Sequence, residues 1–212
     1  MARTRRTATA QINRPYQITA ELQNNGTFYG YDRENKTQVT EIPQQDFYFL
    51  DNTYFKYLLK IKKGKRETDL ISTEYNRKDQ KIALVDRIEN TKAEATPEES
   101  AQVWGGGNTG IVIYALGATD GILYRLQGAS SVLGAFKDFE KECADMPDFT
   151  VSTHENQTGE GPKCNWIFEY ADLTPDQATT ERLEITTAAL AEYYKAKGLY
   201  FDHLAPTNQE EE

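Results

Sequence analysis

Two cysteines and two histidines in 212 residues leave little material for metal or thiol chemistry. Cys143 and Cys164 are too few for a disulfide framework or a thiolate metal site. They allow one pair at most, and two ordinary thiols in a cytosolic chain is the simpler reading. His154 and His203 are far apart in sequence and sit in no ligand-spaced cluster, so both read as surface or turn residues. No apolar run approaches the roughly 18 residues that a membrane-spanning helix needs. The start, "MARTRRTATAQINRPYQ", is basic but carries neither the apolar core of a secretory signal nor the apolar face of a transit helix.

Enzyme signatures are equally scarce. "WGGGNTG" resembles a phosphate-cradling loop only in its glycines, because the Lys-Ser/Thr pair and the spaced glycines of nucleotide folds are missing. Asp120 in "GATDG" is explained by a hairpin turn. Ser130 and Ser131 have no base in sight, and no carboxylate pair sits in a recognisable frame. The expectation is a non-enzyme without cofactor or metal.

What the chain has is aromatic side chains, 13 Tyr, 9 Phe and 2 Trp, and an uneven charge. Residues 1–66 hold 12 Lys/Arg against 6 Asp/Glu, while residues 67–212 hold 12 against 27. The net charge of -9 therefore hides a basic first third followed by an acidic remainder ending in Glu210, Glu211 and Glu212. Such a split points to a nucleic-acid or membrane surface joined to an acidic tail.

Residues 1–14 read as a disordered basic arm, residues 15–204 as a single domain and residues 205–212 as an acidic tail. Within the domain, "YQITAEL" and "TFYGYDR" flank Asn25-Gly26, a strong hairpin signal. "DFYFL", "TYFKYLLKI", "TDLISTEY" and "KIALVDRI" follow as strands, and residues 90–110, with Pro97 and three consecutive glycines, as a mobile loop around Trp104. "GIVIYALGATDGILYRLQG" is a hairpin, and "PKCNWIFEYADL" is another strand. Helices are predicted at about 129–145, with Val132, Leu133, Phe136 and Phe139 inward, and at 175–197, with Leu183, Thr187, Leu190 and Tyr194 inward. For the second, Thr174 suits the N-cap and Gly198 the C-terminal cap. Strands that do not alternate with helices favour a β-dominated α+β fold, and a partly open antiparallel barrel with two appended helices is expected.

The stretch Phe47–Arg66, "FYFLDNTYFKYLLKIKKGKR", holds six aromatics and six Lys/Arg, with no acidic residue after Asp51. Strand alternation puts Phe55, Tyr57, Leu59 and Ile61 on a core face and Tyr54, Lys56, Leu58, Lys60 and Lys62 on the other. Lys65 and Arg66 extend the second set. In "TFYGYDR", Tyr29 and Tyr31 oppose Phe28, and in "DFYFL", Tyr48 opposes Phe47 and Phe49. Cations that track a backbone and aromatic planes that stack bases are the ingredients of sequence-tolerant single-stranded binding. Both helices lack the basic face expected of a major-groove reader. Tyr is also common on half-buried sheet faces and Lys on edge strands, so a plain surface competes with this reading.

In layout the chain resembles phage-encoded single-stranded DNA-binding proteins of the OB-fold type. The resemblance rests on the order of "FYFLDNTYFKYLLKIKKGKR", the hairpin "GIVIYALGATDGILYRLQG" running into "ASSVLGAFKDF", the final "WIFEY…LAEYYKAKG" and the "NQEEE" tail. It covers most of residues 16–212, although no single motif in it is diagnostic. It implies a role in replication or recombination in a bacterial host cytoplasm. It also implies an OB-like barrel and a groove lined by Tyr48, Tyr54, Lys56, Lys60 and Lys62, with Tyr29, Tyr31 and Trp104 as stacking candidates. The family's tail occupies that groove and recruits replication proteins. Here the tail is short and ends in Glu212 without a terminal aromatic, which puts recruitment in doubt. A structural or virion assembly protein is the alternative, and oligomerisation fits either.

Overall fold

The computed structural model describes residues 13–41, 43–62, 65–76, 84–86, 96–143, 147–158 and 161–201, with side chains 60–69, 84–86 and 156–164 outside that description. These residues form ten strands and three helices, a β-dominated α+β fold. The strands are β1 (Ile18–Leu22), β2 (Phe28–Asp32), β3 (Thr37–Val39), β4 (Phe47–Lys62), β5 (Lys65–Ser72), β6 (Leu84–Asp86), β7 (Asn108–Gly117), β8 (Leu123–Gly128), β9 (Phe149–Thr158) and β10 (Gly161–Tyr170). The helices are α1 (Pro97–Gly106), α2 (Ser130–Glu142) and α3 (Gln177–Lys197). No helix among the described residues is long and apolar enough to cross a membrane.

Both predicted hairpins close as their turn residues require, with Gly26 at φ 78° and Gly121 at φ 62°, in the left-handed region that favours glycine. The strand order is β10-β9-β4-β7-β8-β1-β2-β3, with β5 and β6 added beside β4. The sheet is mixed rather than antiparallel throughout, because β1 runs parallel to β8. One edge of β4 pairs with β7. Its other edge is shared between β9 at Phe47, an isolated bridge to Tyr75 at Tyr54, and β5 from Tyr57 onward. β7 is the centre of the sheet and is buried on both faces.

Ile111, Ile113 and Ala115 of β7 face one core with Phe47, Tyr124, Leu126 and the inward stripe of α2, namely Val132, Leu133, Phe136 and Phe139. The sheet curls around α2, so that Trp166 and Phe168 of β10 join this core with Ile18, Ala20 and Leu22 of β1. Trp166 Nε1 donates to the Gln23 carbonyl at 2.8 Å across that closure. Val112, Tyr114 and Leu116 face the second core, which Leu190, Tyr193 and Tyr194 of α3 cover. Its N-cap is Asp176 rather than Thr174, and Gly198 at φ 68° ends it.

The helix α1 was not expected. The segment read as a mobile loop contains a capping box: the Thr96 side chain accepts from the Glu99 amide, and the Glu99 carboxylate accepts from the Thr96 amide. Pro97 occupies the first turn, where its missing N–H costs nothing. Val103 then anchors the helix on Leu58 and Leu70.

Candidate nucleic-acid interface

A β-bulge decides which aromatics share a surface. Phe49 pairs with Ala115 and Asp51 with Tyr114, so Leu50 is an extra residue in β4. Tyr48 and Tyr54 are six residues apart, an even separation, and would share a face in a regular strand. The extra residue sends them to opposite faces: Tyr48 pairs with Leu116 on the α3 side and Tyr54 with Ile111 on the α2 side. Tyr48 is 8% exposed within the α3 core. Burial, then the charges of Asp148, Asp176 and Asp46, pushes its hydroxyl pKa up. The expectation that Tyr48 lines a groove is therefore corrected.

Beyond the bulge, Phe55 and Tyr57 turn into the α3 core as alternation predicts. Leu59 does not follow them, being 37% exposed, and the Ile61 side chain lies outside the described residues. Tyr54 and Lys56 take the opposite face, between α1 and α2, and both are half-buried. The Tyr54 ring lies 6.2 Å from Tyr75, and Tyr75 lies 5.5 Å from Trp104 of α1, so three rings follow one another along the sheet. Lys56 Nζ sits 5.8 Å from the centre of the Trp104 ring, and Lys137 Nζ of α2 sits 5.9 Å from that of Tyr54. Both distances are within cation–π range. Trp104 keeps 38% of its surface exposed.

Of the sequence-predicted residues, the fold brings together Tyr54, Lys56 and Trp104. Tyr29 and Tyr31 are 48% and 44% exposed, but β2 and β1 register puts them on the α3 face of the sheet, away from this strip. The side chains of Lys60, Lys62, Lys65 and Arg66 lie outside the described residues; their backbones pair Lys60 with Glu67 and Lys62 with Lys65. Glu210, Glu211 and Glu212 also lie outside them.

Tyr75 and Lys137 were missed. Tyr75 lies past the end of β5 and reaches β4 through one isolated bridge, and Lys137 occupies the solvent face of α2, so neither has a local signal. Glu140, one turn beyond Lys137, adds a negative charge near Tyr54. Burial pushes its carboxyl pKa up against the pull of Lys137. Burial also raises the hydroxyl pKa values of Tyr54 and Tyr75, so both remain neutral donors at neutral pH.

The strip is tied to an ion pair on the other side of the sheet. Arg125 Nε and Nη2 donate to Glu74 Oε1 at 3.0 and 2.6 Å, while Thr53 and Tyr114 hydroxyls donate to Oε2 at 2.9 and 2.5 Å. Desolvation alone would raise the Glu74 pKa, but the Arg125 charge and these hydrogen bonds outweigh it and hold the carboxyl low. Both carboxylate oxygens are engaged, which suits an anchor rather than a catalyst. The Ser72 hydroxyl accepts the Lys56 amide at 2.7 Å, and Asn76 exchanges hydrogen bonds with the backbone of Tyr200. Residues 72–76 thus connect Tyr75 in the strip to the core beneath α3. Asp120 is likewise engaged in its turn, accepting from Gln45 and Tyr124.

No family model, curated protein or solved structure matches the chain. The functional reading therefore rests on the geometry. Among the described residues no group of three His, Cys, Asp or Glu side chains is placed to hold a metal ion. Tyr54 and Trp104 are the partly exposed rings of the row, each with a lysine near its ring, and Tyr75 between them is buried at 7% exposure and holds them in line.

Proposed function

We propose that the protein binds single-stranded DNA without sequence preference, in phage or mobile-element replication or recombination, through a strip in which the buried Tyr75 sets Tyr54 and Trp104 in line, with Lys56 and Lys137 beside them. The observation that carries the reading is the serial ring contact, with a lysine over each end and an exposed indole. Lys60 and Lys62 follow Lys56 at alternate positions of β4, and Lys65 and Arg66 open β5, so cations continue along the same strand pair. The remaining acidic surface is compatible with this. At about 0.1 M salt charges more than roughly 10 Å away are largely screened, so the local charges dominate. The OB-like barrel and tail-mediated partner recruitment belong to the same proposal and come from the layout of the chain.

The direct test is fluorescence anisotropy of a labelled oligo-dT titrated with protein at several salt concentrations. The expected result is saturable binding whose logarithm falls linearly with log salt, by about 0.7 per phosphate neutralised. No binding at low salt would reject the proposal.

A second reading, assembly through sheet edges, draws on β10, which ends the strand order and exposes Tyr170 at 63%. Light scattering after size-exclusion chromatography distinguishes it by a large defined assembly that ignores DNA.

A further inference from the structure

We infer that a groove beyond the C-terminal end of α2 is the docking site for the chain's own basic N-terminal segment, Met1–Ile12. The groove, of about 780 Å³, has Phe139, Phe168 and Tyr170 as its aromatic part and Glu142, Asp148 and Glu169 as its acidic part. Its described lining contains no Lys or Arg. The nearest cation in sequence, Lys141, is 2.8 Å from Asp138 in an exposed pair on the helix. Asp148 uses Oδ1 to accept the Phe49 amide at 2.9 Å, and half-burial pushes its pKa up without any cation to offset it. Asp46, Asp148 and Asp176 together add to the negative field at this end of the sheet, where they act on Tyr48.

Phe139 and Phe168 are buried at its floor and Tyr170 is the exposed ring, and acidic side chains around such a ring favour arginine, whose planar guanidinium pairs with carboxylates and stacks on rings. The segment Met1–Ile12 carries Arg3, Arg5 and Arg6 and no acidic residue. It is tethered at Asn13, and a segment of this length spans up to about 40 Å when extended. A short tether holds its end at an effective concentration on the order of millimolar, so weak pairs suffice to dock it within one molecule. This inference does not depend on DNA binding.

Timed trypsin digestion of the full-length chain, with release of the N-terminal peptides at Arg5 and Arg6 followed by mass spectrometry, tests it. Glu142 and Glu169 are exposed, so the Glu142→Gln/Glu169→Gln double variant keeps the fold, which circular dichroism verifies. Cleavage in this variant is expected to be at least threefold faster than in the wild type. In the control Glu184→Gln/Glu192→Gln on α3 it is expected to be unchanged, and the wild-type rate to be independent of protein concentration. Equal rates in the groove variant and wild type would overturn the inference, as would equal acceleration in the control. Protection that grows with protein concentration would also overturn it, because the segment would then dock on a second copy.

Discussion

Replacing Trp104 with Ala removes the most exposed ring of the strip and no charge. Its ring contacts Tyr75 at 5.5 Å and lies under Lys56 Nζ at 5.8 Å. The lost cation–π contact is worth about 0.5–1 kcal/mol at such a half-open site. Val103, fully buried in the same helix, still seats α1 on Leu58 and Leu70, so the fold survives. A base stacked on an aromatic side chain contributes about 1–3 kcal/mol, so affinity for oligo-dT should fall roughly 5- to 150-fold. The salt dependence should stay as it is, since the number of neutralised phosphates has not changed. Anisotropy titrations at four or five salt concentrations give both quantities from one data set, with thermal unfolding run in parallel. Unchanged affinity with a lower melting temperature would refute the stacking argument and leave Trp104 as the anchor of α1 alone.

Glu140→Gln removes the anion beside Tyr54 and Lys137 and should tighten oligo-dT binding, with the largest gain at low salt. In the wild type, affinity should rise as pH falls through the raised Glu140 pKa, and the variant should lack that part of the pH profile. Glu74→Gln breaks a buried pair and leaves Arg125 uncompensated, which should cost about 3–5 kcal/mol in denaturant unfolding. Because the Glu74 pKa is lowered on folding, its share of stability is complete above the unfolded carboxylate value near 4.3 and is lost as pH falls through the lower folded value. A stability profile flat across that acid range would contradict the pairing. Changing Tyr29 and Tyr31 together to Ala should leave oligo-dT affinity within about twofold, since both lie on the other face of the sheet; a tenfold loss would relocate the interface.

Local features of the fold were legible from the chain. Asn25-Gly26 and Asp120-Gly121 specify hairpins through backbone conformations that few other residues adopt, and the apolar spacing of α2 names its buried face residue by residue. Helix α1 was not read from the chain: Thr96, Pro97 and Glu99 encode its start, but the glycines that follow mask a cap worth about 1 kcal/mol. The strand order was not legible, because pairing β1 with β8 or dividing one edge of β4 among three partners depends on residues far apart in sequence. The candidate site was half legible for the same reason. Alternation separates Tyr54 and Lys56 from Phe55 and Tyr57 correctly, but it assumes an unbroken period of two. The extra residue Leu50 breaks that period and moves Tyr48 into the core under α3. Tyr75 and Lys137 join the strip only through tertiary structure.

The central claim is that bases stack on the strip, and the fluorescence of Trp104 reports on it directly. The other tryptophan, Trp166, is buried and donates its Nε1–H to the Gln23 carbonyl, so it should respond little to ligand. Titration with unlabelled oligo-dT should quench the tryptophan signal saturably, at the same midpoint as the anisotropy of labelled oligo-dT. The quench should disappear in Trp104→Phe, which keeps a ring in place. Binding without any quench, or a quench that persists in Trp104→Phe, would place the DNA elsewhere and contradict the account.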